Sequence, residues 1–181
     1  MGITNLYPII PNTIPPTSAP NRRNGRMASM DLSRYSPFNG VILRIQNSKK
    51  YGPYTQCKGL IHAETDCPCD PSRHPNWDLD SELPRISEIG GDWINFVFGF
   101  VNTDQYIRWF YTKKARQFLE KNKHKLYLIK SPRVYASRRQ CIFLPPKNNT
   151  TYLREYPPTI LDTSPKIEDE IREIQYAYQK E

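Results

Sequence analysis

The segment 102-NTDQYIRWFYTKKARQFLEKN-122, followed almost at once by 125-KLYLIK-130, decides the fold class. Its first part has helical spacing. Ile107, Phe110, Tyr111, Phe118 and Leu119 fall roughly on one face, while Lys113, Arg116 and Lys123 look outward. Asn102, with Gln105 three residues on, is a capping-box start that satisfies N–H groups no helical carbonyl reaches. Thr112 offers a second N-cap, which breaks the segment into two helices. Beyond it the apolar residues come in short runs. The stretches 125-KLYLIK-130, 133-RVYA-136 and 139-RQCIFLPP-146 read as strands, the last ended by a double proline. Helices that feed a run of strands predict an α+β domain.

Working outward, 93-WINFVFGF-100 is a further strand candidate and 41-VILRIQN-47 the first one, with Val41, Leu43 and Ile45 alternating against Ile42, Arg44 and Gln46. Between them lie a Gly-Pro turn, 48-SKKYGPYTQ-56, and an acidic loop, 77-WDLDSELPRISEIGGD-92. The expected architecture is a small mixed sheet with one or two central helices, an extended N-terminal arm and a C-terminal amphipathic helix. Residues 1–38 form a Pro-rich basic arm, because 8-PIIPNTIPPTSAPNRRNGR-26 has no apolar periodicity to bury. The α+β domain spans 39–146, a Pro-rich linker 147–164, and the final helix 165–181. Ser164 caps that helix and Pro165 takes its first position. Its stripe of Ile167, Ile171, Ile174 and Tyr178 is suited to docking on a partner or on the domain itself.

A hydrophobic content of 38% over 181 residues, with 17 prolines, fits one domain with tails. The longest apolar run, 93-WINFVFGFV-101, is too short to cross a bilayer, and no basic-then-apolar signal pattern opens the chain. The expectation is a protein with no membrane partner, not secreted, intracellular (cytoplasmic) or virion-associated, with reduced thiols. Charge is segregated along the chain. Residues 57–104 carry nine acids against three Lys/Arg, and residues 105–141 carry eleven Lys/Arg against one acid. The second block is the footprint expected for an acidic partner, either protein or nucleic acid, or else a solvated helix face. The residues that would hold such a partner are Arg108, Lys113, Lys114, Arg116, Lys121, Lys123 and Lys125, with Trp109 and Tyr111 placed to stack bases.

Three of the four cysteines fall in 57-CKGLIHAETDCPCDPSRH-74. Cys57, His62, Cys67, Cys69 and His74 are candidate zinc ligands, since short spacings let one loop supply several corners of a tetrahedron. Their C-x4-H-x4-C-x-C-x4-H spacing departs from the usual C-x2-C knuckle, so the same stretch also reads as an uncoordinated loop. A zinc deaminase is excluded, because Glu64 and Pro68 are too close to come from two separate elements and Ser72 stands where its second cysteine belongs. Cys141 lies in an apolar strand as a core residue, His124 lies exposed between lysines, and Asp78, Asp80 and Glu82 form a solvated acidic loop. No phosphate loop or nucleophile–base pair is present in the sequence.

Two resemblances accompany these motifs. The set 43-LRIQNSKKYGPY-54, 99-GFVNTDQYIRWF-110 and 139-RQCIFLPP-146 resembles a family of small proteins from phages and mobile elements, over about residues 41–146. The resemblance implies a mobile-element origin and supplies no activity; the basic block, the arm and the final helix give the expectation of a non-enzymatic binding or structural role in a larger phage-like assembly with protein partners. An arginine on the first strand and a final polar-x-Gln-apolar strand are also similar to the ADP-ribosyltransferase fold. That likeness implies that Arg44 binds NAD and that Gln140 stands where a glutamate stabilises an oxocarbenium-like transition state. A neutral amide lacks the stabilising charge, Arg138 replaces a second glutamate, and the Ser-Thr-Ser strand has no counterpart, so the likeness implies an inactive relative. The simpler alternative places Arg44 on the solvent side of its strand and Gln140 at a turn. Elemental analysis of protein prepared without chelator tests the cysteine stretch: about one zinc per chain, lost in Cys67→Ser and His74→Ala, marks a structural clip, and its absence marks a plain loop.

Overall fold

Strand β1 (Phe38–Gln46) is buried without interruption from Gly40 to Gln46, which a half-exposed alternating strand would not be. The reason lies in its pairing. In the computed structural model, which describes residues 37–56, 79–147 and 151–179, β1 pairs antiparallel along its length with β3 (Lys125–Ala136), from Gln46↔Lys125 to Phe38↔Val134. The other edge of β3 is long enough for two partners. Its first half pairs with β5 (Tyr152–Tyr156) and its second with β4 (Cys141–Phe143), which in turn pairs with β2 (Val97–Gly99). One residue past β2, Phe100 and Leu43 exchange both backbone hydrogen bonds at 2.8 Å. The sheet thus curls until β2 meets β1.

Two sequence details allow the curl. Pro132 lies within β3, where it cannot donate to the ladder. The β1 register slips there, between Phe38 and Gly40, leaving one extra residue on the β3 side. Gly99 lies at the closure, where an added Cβ would sit 2.9 Å from the Leu43 carbonyl oxygen and 3.0 Å from the Phe143 ring. Only glycine lets the two backbones approach so closely.

The helix segment divides as its caps predict. Helix α1 (Thr103–Trp109) starts with the Gln105 N–H donating to the Asn102 Oδ1 at 2.9 Å, and α2 (Lys113–Lys121) with the Ala115 N–H donating to the Thr112 Oγ1 at 3.0 Å. The Gln105 amide departs from the simple box: its Oε1 accepts from the Val101 N–H and its Nε2 donates to the Ser137 carbonyl, fastening α1 to the β3–β4 turn. Phe100, Tyr106, Phe110, Ala115 and Leu119 pack with Leu43, Ile45, Leu126 and Leu128 on one face of the sheet. On the other face Ile42, Ile129, Val134, Cys141 and Phe143 form a separate cluster, and Leu83, Phe96, Tyr135 and Ile142 form a third.

The final helix, α3 (Ile167–Gln179), begins two residues later than expected and docks on the domain. Ile167 and Ile171 complete the helical core, and Gln175 Nε2 donates to the Val41 and Val101 carbonyls at 2.9 and 2.7 Å. Within the stretch expected to be a connector, Tyr152–Tyr156 is a strand, and Pro158 accepts a 2.5 Å hydrogen bond from the buried Tyr106 hydroxyl. The domain is α+β, as expected. Gly99→Ala should destabilise the fold by about 1–3 kcal/mol, as overpacking at a fixed contact does. Urea unfolding would show it as a lower midpoint with an unchanged slope.

Candidate functional site

The predicted cationic face divides when folded. Arg108, Lys113, Lys114, Lys121, Lys123 and Lys125 are exposed, but Arg116 is buried and does not look outward. The Arg116 Nε and Nη2 donate to the two carboxylate oxygens of Asp162 at 3.0 and 2.5 Å, and Nη1 donates to the Phe110 carbonyl. The guanidinium is the inner clamp that holds α2 against the chain following β5, so it is withdrawn from any surface. Lys125 ion-pairs with Glu155 on the neighbouring strand, an exposed contact that holds its ammonium above the usual lysine range. Trp109 is also internal, its Nε1 donating to the Arg139 carbonyl at 2.9 Å, whereas Tyr111 is exposed.

The end of α2 explains a second departure. Lys123 adopts φ 59°, its N–H donates to the Glu120 carbonyl, and the His124 N–H reaches back to the Leu119 carbonyl. These are the two bonds of a Schellman stop, with a lysine in the left-handed position that glycine usually takes. The stop swings His124 inward, so the imidazole expected to be exposed is 1% exposed. Neither ring nitrogen makes a hydrogen bond of good geometry, although the Leu119, Asn122 and Gly52 carbonyls lie nearby, and burial lowers its pKa. The imidazole lines a cleft of about 350 Å³ together with Glu120, Lys123, Lys125, Glu155 and Tyr156. The cleft therefore lies at the end of the basic helix, with carboxylates and ammonium groups both at its walls.

Arg44 and Gln140 do not form a shared site. Arg44 is 8% exposed, a correction to its expected solvent side, because the curled sheet covers both faces of β1. Its Nε donates to the Gln46 Oε1 at 2.9 Å and its Nη1 to the Phe98 carbonyl, with the guanidinium carbon 5.9 Å from the Phe143 ring centroid. Burial pushes its pKa down to about 10. Gln140 is fully buried and turns elsewhere, its Nε2 donating to the Asp80 Oδ2 at 3.1 Å.

Asp80, expected in a solvated loop, is itself buried. Its Oδ2 also accepts from the Ser137 hydroxyl at 2.8 Å. Beside it Glu82 pairs with Arg138 at 2.6 Å, which holds the Glu82 carboxyl below the usual carboxylate range. The acidic segment thus grips the turn 137-SRRQ-140, and the Gln140 amide belongs to that grip. Cys141 is buried as expected, and burial drives its thiol pKa up, which disfavours the reactive thiolate.

Cys57, His62, Cys67, Cys69 and His74 lie outside the described residues, as does Asp78. Among the described residues no three His, Cys, Asp or Glu side chains come together as a metal site. No helix among them is long and apolar enough to cross a membrane. Residues 30–158 match a family model described as the Bacteriophage T4 Y00F protein. No curated protein and no solved structure matches the chain.

The buried imidazole gives a pH dependence of defined sign. In the unfolded chain it titrates near 6.5 and in the folded chain below that, so the unfolded state takes up the extra proton. Stability is therefore full above pH 6.5 and falls as pH drops through that value. The slope of unfolding free energy between about pH 7 and pH 5 should flatten in His124→Gln relative to the parent. An identical slope in both proteins would place the imidazole in contact with water.

Proposed function

The chain belongs to the Bacteriophage T4 Y00F protein family, and from that membership we propose a non-enzymatic binding module of a phage assembly, whose basic surface holds an acidic partner, protein or nucleic acid. The observation that carries this reading is the separation of two kinds of cation on the same two helices. Arg116 is neutralised inside the fold by Asp162, and Ala115 and Leu119 fill the core. Arg108, Lys113, Lys114, Lys121 and Lys123 stay at the surface. Those five add mutual repulsion that folding does not need, and a polyanion relieves it. The basic arm, residues 1–38, adds a second contact in this reading, by virtue of its composition alone.

Docking through the final helix is not part of the reading, because its apolar stripe is occupied by the core. An NAD-binding role draws no support from the placement of Arg44 and Gln140, whose side chains are committed to different neighbours.

The test is charge reversal at exposed positions of α2. Lys113→Glu, Lys114→Glu and Lys121→Glu together should lower the salt needed to elute the protein from immobilised heparin and leave its melting temperature within a few degrees. Elution at the parent's salt concentration would sink the reading. With duplex DNA as partner, log affinity should fall linearly with log salt, and the slope should shrink by roughly one per phosphate-contacting lysine removed.

A further inference from the structure

We propose that Arg44 is the floor of a phosphate-binding site entered past Gly52. The proposal concerns the first strand and the turn after it, and stands independently of the basic helices. It starts from a charge without a counter-charge. Among the described residues no carboxylate lies in ion-pair reach of this nine-tenths-buried guanidinium, whereas the other buried arginine, Arg116, has Asp162. An isolated buried charge is costly, and it persists where neighbouring dipoles or a ligand offset the lost hydration. The Phe98 carbonyl and the Gln46 amide oxygen do so for Nη1 and Nε. Among the described residues Nη2 makes no hydrogen bond.

Nη2 faces Gly52. A Cβ built at Gly52 would lie 3.6 Å from Nη2 and 3.9 Å from the Ile45 carbonyl oxygen, which is ordinary contact, so neither crowding nor a positive φ requires glycine here. What the glycine does is place no side chain over Nη2. The surrounding turn is firmly built. Asn47 Oδ1 accepts from the Lys49 and Tyr51 N–H groups at 2.9 and 3.1 Å, and Asn47 also exchanges backbone bonds with Tyr51 and Lys50. That turn holds exposed Lys50 at φ 64°, with its ammonium 5.5 Å from the centre of the Tyr152 ring. The Tyr152 hydroxyl accepts from Gln46 Nε2 at 3.3 Å. Gln46 thus bridges the Arg44 guanidinium to the Tyr152 phenol, and the Lys50 ammonium lies over the same ring.

The chemistry selects phosphate over carboxylate. A carboxylate is best met by two parallel N–H groups of one guanidinium, but Nε and Nη1 of Arg44 are already committed. The Nη2 group, an ammonium and a hydroxyl, carried on three different residues, suit the spread oxygens of a tetrahedral anion.

Thermal unfolding of the full chain tests this in chloride buffer of fixed ionic strength, with inorganic phosphate, acetate or a mononucleotide added up to about 10 mM, low enough to keep general salt effects small. The expected result is a saturable rise in melting temperature with phosphate and none with acetate, as a ligand that binds only the folded state produces. A larger rise with the mononucleotide identifies a nucleotide-borne phosphate, and an equal rise identifies the free ion. Arg44→Gln should abolish the response. Gly52→Leu, which covers Nη2 and spares the bonds of Arg44, should abolish it while keeping the parent's melting temperature without phosphate. The Lys113→Glu, Lys114→Glu, Lys121→Glu variant should keep the response, which separates this site from the basic helices. No saturable response in the parent, an equal response to acetate, or an undiminished response in Gly52→Leu would overturn the proposal.

Discussion

The backbone pair between Leu43 and Phe100 is the contact on which the rest of the fold depends. Each of its two hydrogen bonds adds only about 1 kcal/mol net, but the pair fixes geometry out of proportion to that energy. It converts an open ladder into a curled sheet and sets where the chain leaves β2, and Asn102 caps α1 only two residues later. It also buries both faces of β1, the helical core lying on one side and the Ile42 cluster on the other. Gly99 is the local requirement for the closure, and the slipped register at Pro132 is the distant one, since a flat β3 would hold its two partners side by side without bending.

Charge in this fold is sorted by whether it helps to close the structure. The Arg116–Asp162 pair has three donor contacts on the guanidinium, the arrangement under which a buried ion pair offsets its own desolvation. Asp80 acts the same way as an acceptor, binding a hydroxyl and an amide in place of a cation. Pairs at the surface, such as Lys125–Glu155 and Arg172–Glu168, contribute little, because solvent screens them. The lysines of α2 stay at the surface, outside the buried core.

How much of this was legible follows from how local each signal is. The caps at Asn102 and Thr112 act within three residues, and the sequence shows both directly. The strands around Leu43, Leu128 and Ile142 were visible as apolar runs, and the core position of Cys141 followed from its run. Arg116, Asp80 and His124 were misplaced, because their partners lie far off in sequence or, for His124, because a helix stop with lysine in place of glycine carries no composition signal. Arg44 was read from alternation, which holds for a strand with one wet face and fails for one enclosed on both. In 152-YLREY-156 the flanking prolines and polar residues masked a strand whose Leu153 and Tyr156 pack on the helical core.

The same reasoning bears on why an arginine stands in β1 at all. Closure of the sheet would be served as well by an apolar side chain beside Phe143, without the loss of guanidinium hydration; replacing buried charges with apolar residues of similar size is often neutral or stabilising. Two things are lost in such an exchange. One is the bond from Nη1 to the Phe98 carbonyl, which ties β1 to β2 on the side of the ring where the ladder is only three residues long. The other is the Nη2 group beside Gly52, which makes no hydrogen bond among the described residues. The first function requires a donor, which an amide or a lysine would also supply. Only the guanidinium provides the tie and still leaves Nη2 beside Gly52, so under the phosphate-site proposal the residue type follows from the two requirements together.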